Sequence, residues 1–213
     1  MLWHHYKRIC KDNGAIVLFA AQPFTSALVM SEPTLFKYDW TWRKPKGTGH
    51  LNANKQPMRD KEDICVFYRK QPNYNPQFAI GEPYTAMKGG KNTVISELGK
   101  TTYGKFYNGA QHRNNNDGFR FPKQVLEFGV VERGTLHPTQ KPVELIEYLL
   151  KTYTNEGDTV LDNCMGSGTT MVAAQNLNRN GIGIELDEDY FKIAKKRIKQ
   201  AEKDKRYTLF PDE

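Results

Sequence analysis

A glycine-rich turn after Asp162 is the part of the sequence with the clearest chemical potential. The strand predicted at 158–162 leads into this turn, where Gly166 and Gly168 form a Gly-x-Gly pattern. Because glycine has no Cβ, such a turn lets backbone N–H groups approach a ligand closely. Glu185 follows Asp162 by 23 residues, near the ~20-residue spacing from which an acidic side chain reaches ribose hydroxyls. The pattern predicts a site for a nucleoside-containing ligand.

Other uses of a glycine turn are less compatible with these residues. Glycine after a strand often serves packing alone, but here the turn and the acid occur together. A P-loop is excluded because no lysine follows Gly168, and a dinucleotide site would need a third glycine where Thr170 and Met171 stand. The pattern therefore favours a nucleoside ligand without a pyrophosphate.

The elements around this turn alternate between helix and strand, as an α/β fold requires. The run 15–20 is continuously apolar, which is typical of a strand buried on both faces, and it follows a helix stop at Asn13 and Gly14. The predicted elements are helix 2–11, strand 15–20, a helix beginning within 23–30, strands 36–43 and 63–69, helix 142–154, strand 158–162, helix 168–177, strand 180–186 and helix 189–203.

The segment 71–122 differs from the rest of the chain because Asn, Gly, Lys, Tyr and Gln dominate it. Such a composition builds little core by itself. The segment is either a flexible surface excursion or a basic, aromatic-containing insertion that touches nucleic acid. We therefore expect three regions, at 1–70, 71–122 and 123–213.

Composition limits the classes of protein that fit. Thirty-one Lys and Arg residues against 24 Asp and Glu give a net charge of +7, which suits a polyanionic partner but also an ordinary basic protein. The three cysteines are far apart and form no CxxC pair, so no metal site is expected and a reducing cytoplasm is the expected location. No apolar run has the length of a membrane span, which argues against membrane insertion.

Two motifs together resemble the β group of DNA amino-methyltransferases, which methylate adenine N6 or cytosine N4. The segment 162–170 is similar to that family's Asp-Pro-Phe-x-Gly-Ser-Gly-Thr-Thr cofactor motif, with Asn163 in place of the usual proline, and 136–142 is similar to the segment that precedes it. The resemblance covers almost the whole chain. It implies a Rossmann-like α/β methyltransferase fold that uses S-adenosylmethionine, with 71–122 as the target-recognition insertion.

The resemblance also implies which side chains hold the cofactor. His137 beside a proline is expected to have a structural role, whereas the three residues after Pro138 offer hydroxyl, amide and ammonium groups that suit the cofactor's carboxylate, or else form only a helix-entry turn. The predicted cofactor-binding residues are Thr139, Gln140, Lys141, Asp162, Gly166, Ser167, Gly168, Thr169 and Glu185.

Contacts with double-stranded DNA are expected from two places. Trp40 and Trp42 lie on one face of a predicted strand. Trp40 is expected in the core, whereas the end at Trp42, Arg43 and Lys44 resembles a loop that borders the pocket for a flipped base. In the insertion, Arg113 and Arg120, with Asn114 and Asn115, are side chains that can read base edges, although most charges there suit phosphate contacts or solvent.

The catalytic residues are not identified. The family's Asp-Pro-Pro-Tyr type tetrapeptide holds the target amino group, yet no Pro-Pro occurs in this sequence, and Gly81-Glu82-Pro83-Tyr84 lacks an upstream buried strand. In the family the tetrapeptide precedes the helix and strand read here at 2–20. We therefore expect a fold that is incomplete at its N-terminal side and lacks a central strand, through truncation or an internal start, a split enzyme completed by another chain, or gene decay.

Three functions remain open at this point. The first is a DNA methyltransferase that acts on adenine N6 or, as the alternative, on cytosine N4. The second is a non-catalytic subunit or remnant that binds DNA and the cofactor. A methyltransferase acting on RNA or protein fits the order of the motifs and the basic insertion less well. The expected assembly is a homodimer or a complex with a chain that carries the missing segment.

Overall fold

The computed structural model describes residues 2–82, 84–85, 115–116, 118–131 and 134–209, and it describes the backbone alone at 84–85, 115–116 and 206–209. Residues 1–77 and 123–213 form one compact unit, and Phe78–Pro122 form a second. The functional division at 1–70, 71–122 and 123–213 stays a prediction. No helix in the described ranges is long and apolar enough to cross a membrane.

Helices and strands alternate as the sequence predicts at both ends of the chain. The helices are α1 Leu2–Ile9, α2 Phe24–Ser31, α3 Val143–Tyr153, α4 Thr169–Asn176 and α5 Glu188–Leu209. The strands are β1 Ile16–Ala20, β2 Phe36–Thr48, β3 Arg59–Phe67, β4 Ala79–Ile80, β5 Tyr84–Thr85, β6 Asn115–Asn116, β7 Phe119–Arg120, β8 Val125–Glu127, β9 Thr159–Asp162 and β10 Asn180–Gly183. A 3₁₀ turn spans His50–Asn52.

The larger sheet of the first unit has the strand order β1-β3-β2-β8. Strand β3 is antiparallel to β1 and β2, and β8 is parallel to β2. The pairing of β2 with β3 extends from Phe36 opposite Phe67 to Thr48 opposite Arg59. Both strands are therefore longer than predicted, because cross-strand hydrogen bonds hold residues whose composition alone does not favour a strand.

Strand β3 is the centre of the core. Its last four residues are 0% exposed and alternate between two apolar clusters, so both faces of the sheet are covered. Ile64 and Val66 pack with α3 on one face, and Cys65 and Phe67 pack with α1 and α2 on the other. Packing on both faces of the sheet thus fixes the positions of β2 and β3.

The smaller sheet consists of the parallel pair β10-β9. Helix α3 joins it to the larger sheet: Leu145 and Leu149 pack on the larger sheet, whereas Ile146 and Leu150 pack against Ala173 and Ala174 of α4. Strand β10 ends at Gly183, before the predicted end, because its partner β9 ends at Asp162.

The second unit contains two short antiparallel pairs, β4 with β7 and β5 with β6. The Gly81 amide donates to the Gly118 carbonyl oxygen at 2.8 Å, which extends the first pair. Phe78, Phe119 and Phe121 form an aromatic group with ring centroids 4.9–6.0 Å apart. These rings are 46–73% exposed, so the described part of this unit presents apolar surface.

Candidate cofactor site

The loop between β9 and α4 takes a conformation that depends on glycine. Gly166 and Gly168 have φ angles of 52° and 79°, in the left-handed region that favours glycine. A Cβ at Gly166 would lie 3.1 Å from the His137 ring, and one at Gly168 would lie 2.8 Å from Ala194 Cβ. Backbone conformation and close packing therefore both restrict these two positions.

The Asp162 side chain stabilises this loop by accepting two hydrogen bonds within it. One of its carboxylate oxygens accepts a 3.1 Å hydrogen bond from the Cys164 amide, and the other accepts a 2.6 Å bond from the Thr170 hydroxyl at the start of α4. Asn163, which stands where the resembling family has proline, accepts a 2.8 Å hydrogen bond from the Tyr6 hydroxyl of α1. The departure at residue 163 therefore supplies a side-chain contact between the loop and α1.

Glu185 lies beside the same loop. Its carboxylate accepts a 2.8 Å hydrogen bond from the Gly166 amide and a 2.9 Å bond from the Asp187 amide. The hydrogen bond from Asp187 holds the pKa of the Glu185 carboxyl below its usual value, and the Gly166 amide adds to this effect. Glu185 is therefore a carboxylate at neutral pH and can accept further hydrogen bonds.

The segment 136–142 meets the loop through Gln140. Its side-chain oxygen accepts hydrogen bonds from the Ser167 hydroxyl at 3.2 Å and from the Leu136 amide at 3.0 Å. His137 accepts a 3.2 Å hydrogen bond from the Thr139 amide, and its ring lies 4.3 Å from that of Tyr190. These contacts agree with the structural role predicted for His137.

The structure brings most of the predicted cofactor residues to the loop. Two pairs of them are joined by direct hydrogen bonds, Gly166 with Glu185 and Ser167 with Gln140. Lys141 is directed elsewhere, since its ammonium donates to Glu62 of β3 at 2.6 Å.

Arg197 of α5 is a functional candidate that the sequence reasoning missed. Its Nη1 donates to the Ser167 carbonyl oxygen at 2.7 Å, to the Ser167 hydroxyl at 2.9 Å and to the Thr169 hydroxyl at 3.2 Å. Ser167 and Thr169 are 2% and 6% exposed, so their side chains lie on the buried side of the loop, where they contact Arg197. The only sequence signal is that Arg197 lies three residues after Ala194, on the buried stripe of α5.

Replacing Arg197 with methionine is expected to destabilise the loop. The Arg197→Met variant loses three hydrogen bonds to Ser167 and Thr169, and we expect a loss of about 1–3 kcal/mol in the free energy of unfolding. Urea titration followed by circular dichroism measures this. The neighbouring Lys196→Met variant is the control, because Lys196 is exposed and its removal should change stability by less than about 0.5 kcal/mol. Equal stabilities of the two variants would contradict the anchoring role.

The tryptophans of β2 are both part of the core. Trp40 is 4% exposed, as predicted, and Trp42 is 2% exposed, with its indole N–H donating to the Phe128 carbonyl oxygen at 3.0 Å. A ring enclosed to this degree has no free face for a base. The predicted stacking role of Trp42 is therefore wrong, and the reason is that β8 and the segment after it cover this end of the sheet.

The predicted DNA-contacting cations have different surroundings. The Arg43 side chain is 62% exposed and pairs with Glu127 at 3.0 Å, whereas Lys44 is 16% exposed and donates to Glu62 at 2.6 Å. Arg120 donates to the backbone carbonyl oxygens of Phe119 and Glu82. Arg113 lies outside the described residues, as does Asn114. DNA contacts by these residues stay predictions.

No group of three or more His, Cys, Asp or Glu side chains that could hold a metal occurs among the residues whose placement is described.

The chain belongs to the N6/N4 DNA methylase family, whose family model matches residues 2–196. The Type II methyltransferase M.HpaI of Haemophilus parainfluenzae is 41% identical over 199 residues, which cover 90% of this chain and 55% of that protein. M.HindIII of Haemophilus influenzae is 27% identical and is matched over 90% of this chain and 65% of its own length. The chain thus spans 55–65% of the length of these two relatives.

Solved structures share the same fold. The crystal structure of the M1.HpyAVI–SAM complex has a TM-score of 0.62 and 27% identity, covering 92% of this chain and 80% of that one. The PvuII DNA methyltransferase, described as cytosine-N4-specific, has a TM-score of 0.59 at 17% identity. The predicted Rossmann-like methyltransferase fold and the predicted family are therefore confirmed.

Proposed function

We propose that this chain forms the S-adenosylmethionine-binding part, and some of the DNA-binding surface, of a cytoplasmic methyltransferase acting on adenine N6 in double-stranded DNA by base flipping. The observation that most supports cofactor binding is the hydrogen bond from the Gly166 amide of the glycine loop to the Glu185 carboxylate. The M1.HpyAVI relative, which has the same fold, is a complex with this cofactor. Cytosine N4 is the alternative target, because the family includes both specificities.

The residues present fit S-adenosylmethionine. Glu185 is placed to accept hydrogen bonds from ribose hydroxyls. Ile184 and Leu186, on either side of it, are 53% and 97% exposed, and this apolar surface suits a purine. Gln140 and the loop at 162–170 would border the rest of the cofactor, which supplies the methyl group when bound. Ser167 and Thr169 contribute by fixing the backbone of the loop.

We infer that the catalytic element is supplied by a segment beyond these 213 residues, since they contain no counterpart of the family's Asp-Pro-Pro-Tyr type tetrapeptide. The two sheets of the first unit support a place for it. Within the described ranges, β9 pairs only with β10, and β1 pairs only with β3. Each has a free hydrogen-bonding edge that a further strand can use. We infer that a strand carrying an Asp-Pro-Pro-Tyr type sequence completes the protein, from the same polypeptide or from another chain. The same observation supports a second candidate, a cofactor- and DNA-binding subunit without its own catalysis.

Binding and transfer are tested separately. Calorimetry with the 213-residue chain is expected to show S-adenosylmethionine binding, and absence of binding would contradict the proposed function. Incubation with tritiated cofactor and mixed-sequence DNA is expected to label DNA only when a polypeptide carrying the tetrapeptide is added. Labelling by the chain alone would contradict the need for that element. Digestion of labelled DNA to nucleosides then separates N6-methyladenine from N4-methylcytosine.

A further inference from the structure

A group of charged side chains connects strands β2 and β3 with the segment 136–142. Glu62 of β3 accepts hydrogen bonds from Lys44 at one carboxylate oxygen and from Lys141 at the other, both at 2.6 Å. The three side chains are only 16–21% exposed. Each ammonium is also near aromatic rings, with Lys44 4.9 Å from the Trp42 centroid and Lys141 5.1 Å from that of Phe19. Lys141 is therefore fixed by both a carboxylate and a ring.

Gln140, the residue next to Lys141, links the Glu62–Lys141 pair to the glycine loop. Gln140 precedes Lys141 and accepts the hydrogen bond from Ser167 at 3.2 Å. The segment 136–142 is thus attached to the larger sheet at Lys141, through Glu62. It is attached to the glycine loop at Gln140, through Ser167. Glu62 pairs opposite Trp42 in the β2–β3 register, so its backbone is held beside a residue that is only 2% exposed.

We propose that Glu62 is a positioning residue for the cofactor site: it fixes Lys141, and with it the segment 136–142, against the glycine loop. The two ammonium groups lie at different carboxylate oxygens, so a side chain in that place must offer an acceptor on each side to hold both lysines. Burial raises the pKa of the Glu62 carboxyl, but the hydrogen bonds and charges of Lys141 and Lys44 together outweigh it and hold that pKa below its usual value. The carboxylate is therefore charged at neutral pH and can hold both lysines. The proposal rests on cofactor binding as the function of the loop.

The test uses S-adenosylhomocysteine, which lacks the sulfonium charge, and calorimetry on the 213-residue chain. In Glu62→Gln an amide NH₂ group replaces one carboxylate oxygen and faces one of the two ammonium groups as a second donor, so we expect affinity to fall about tenfold. In a Glu62→Gln, Lys44→Met double variant the amide oxygen can face Lys141 while the NH₂ group meets no ammonium group, and we expect affinity within about threefold of the parent chain. The Lys44→Met variant alone should bind within about twofold of it.

Two further measurements separate positioning from other causes. The loss in Glu62→Gln is expected to persist at about 0.5 M salt, because a misplaced side chain is not corrected by screening. Thermal unfolding of each variant confirms that binding is measured on folded protein. Unchanged affinity in Glu62→Gln, or a double variant that does not recover, would overturn the proposal while leaving the proposed function intact. Absence of binding by the parent chain would overturn both.

Discussion

Replacing Gly166 with aspartate is expected to lower the affinity for S-adenosylmethionine by at least about 100-fold, which corresponds to about 3 kcal/mol. Three effects act together in Gly166→Asp. The φ of 52° strains a non-glycine residue, the new Cβ would lie 3.1 Å from the His137 ring, and the added negative charge is on the residue whose amide donates to the Glu185 carboxylate. Calorimetry measures the affinity, and circular dichroism shows whether the fold persists.

The matched control for this substitution is Gly157→Asp. Gly157 also has a left-handed φ, of 80°, but a Cβ there meets no atom within 4 Å. It lies in the turn before β9, at the opposite end of that strand from the loop. The control shares the backbone strain and the added charge, so cofactor affinity should change little. If both variants bind equally well, the loop at 162–170 does not hold the cofactor.

Glu185→Ala is the second substitution with a large expected effect, a loss of affinity on the order of 100-fold. The change removes the acceptor proposed for the ribose hydroxyls and also frees the Gly166 amide from its 2.8 Å hydrogen bond. Glu185→Gln keeps one neutral acceptor, so a smaller loss of about tenfold is expected.

Glu188→Ala is the control, because Glu188 is an exposed acid in the first turn of α5 and has the same charge. Calorimetry on the three variants should rank their losses as Glu185→Ala, Glu185→Gln and then Glu188→Ala. A loss in Glu188→Ala as large as that in Glu185→Ala would show that charge alone matters. Equal affinity of Glu185→Ala and the parent chain would remove Glu185 from the site.

Much of the fold follows from local patterns in the sequence. The apolar run at 15–20 forms β1, and the run before Asp162 forms β9, because each is long enough for a strand and too short for a helix. The connections between strands were harder to predict. The extended β2–β3 pairing and the addition of β8 depend on long-range hydrogen bonds that no local pattern contains.

The candidate site divides in the same way. Asp162, Gly166 and Glu185 could be identified because a glycine turn and a following acid leave a local signature, and the structure brings all three to one loop. Arg197 and Glu62 could not. Each is an ordinary charged residue in a charge-rich element, and its partner is chosen only when distant segments pack together.

The sequence by itself therefore determined the family, the α/β alternation and the position of the glycine loop, because these depend on backbone preferences and spacing within contiguous residues. Only the tertiary structure decided which side chains support that loop and which are buried. Trp42 meets the Phe128 carbonyl 86 residues away, and Lys141 meets Glu62 79 residues away. The enclosure of a ring or an ion pair depends on what packs around it, and that is set by the whole chain.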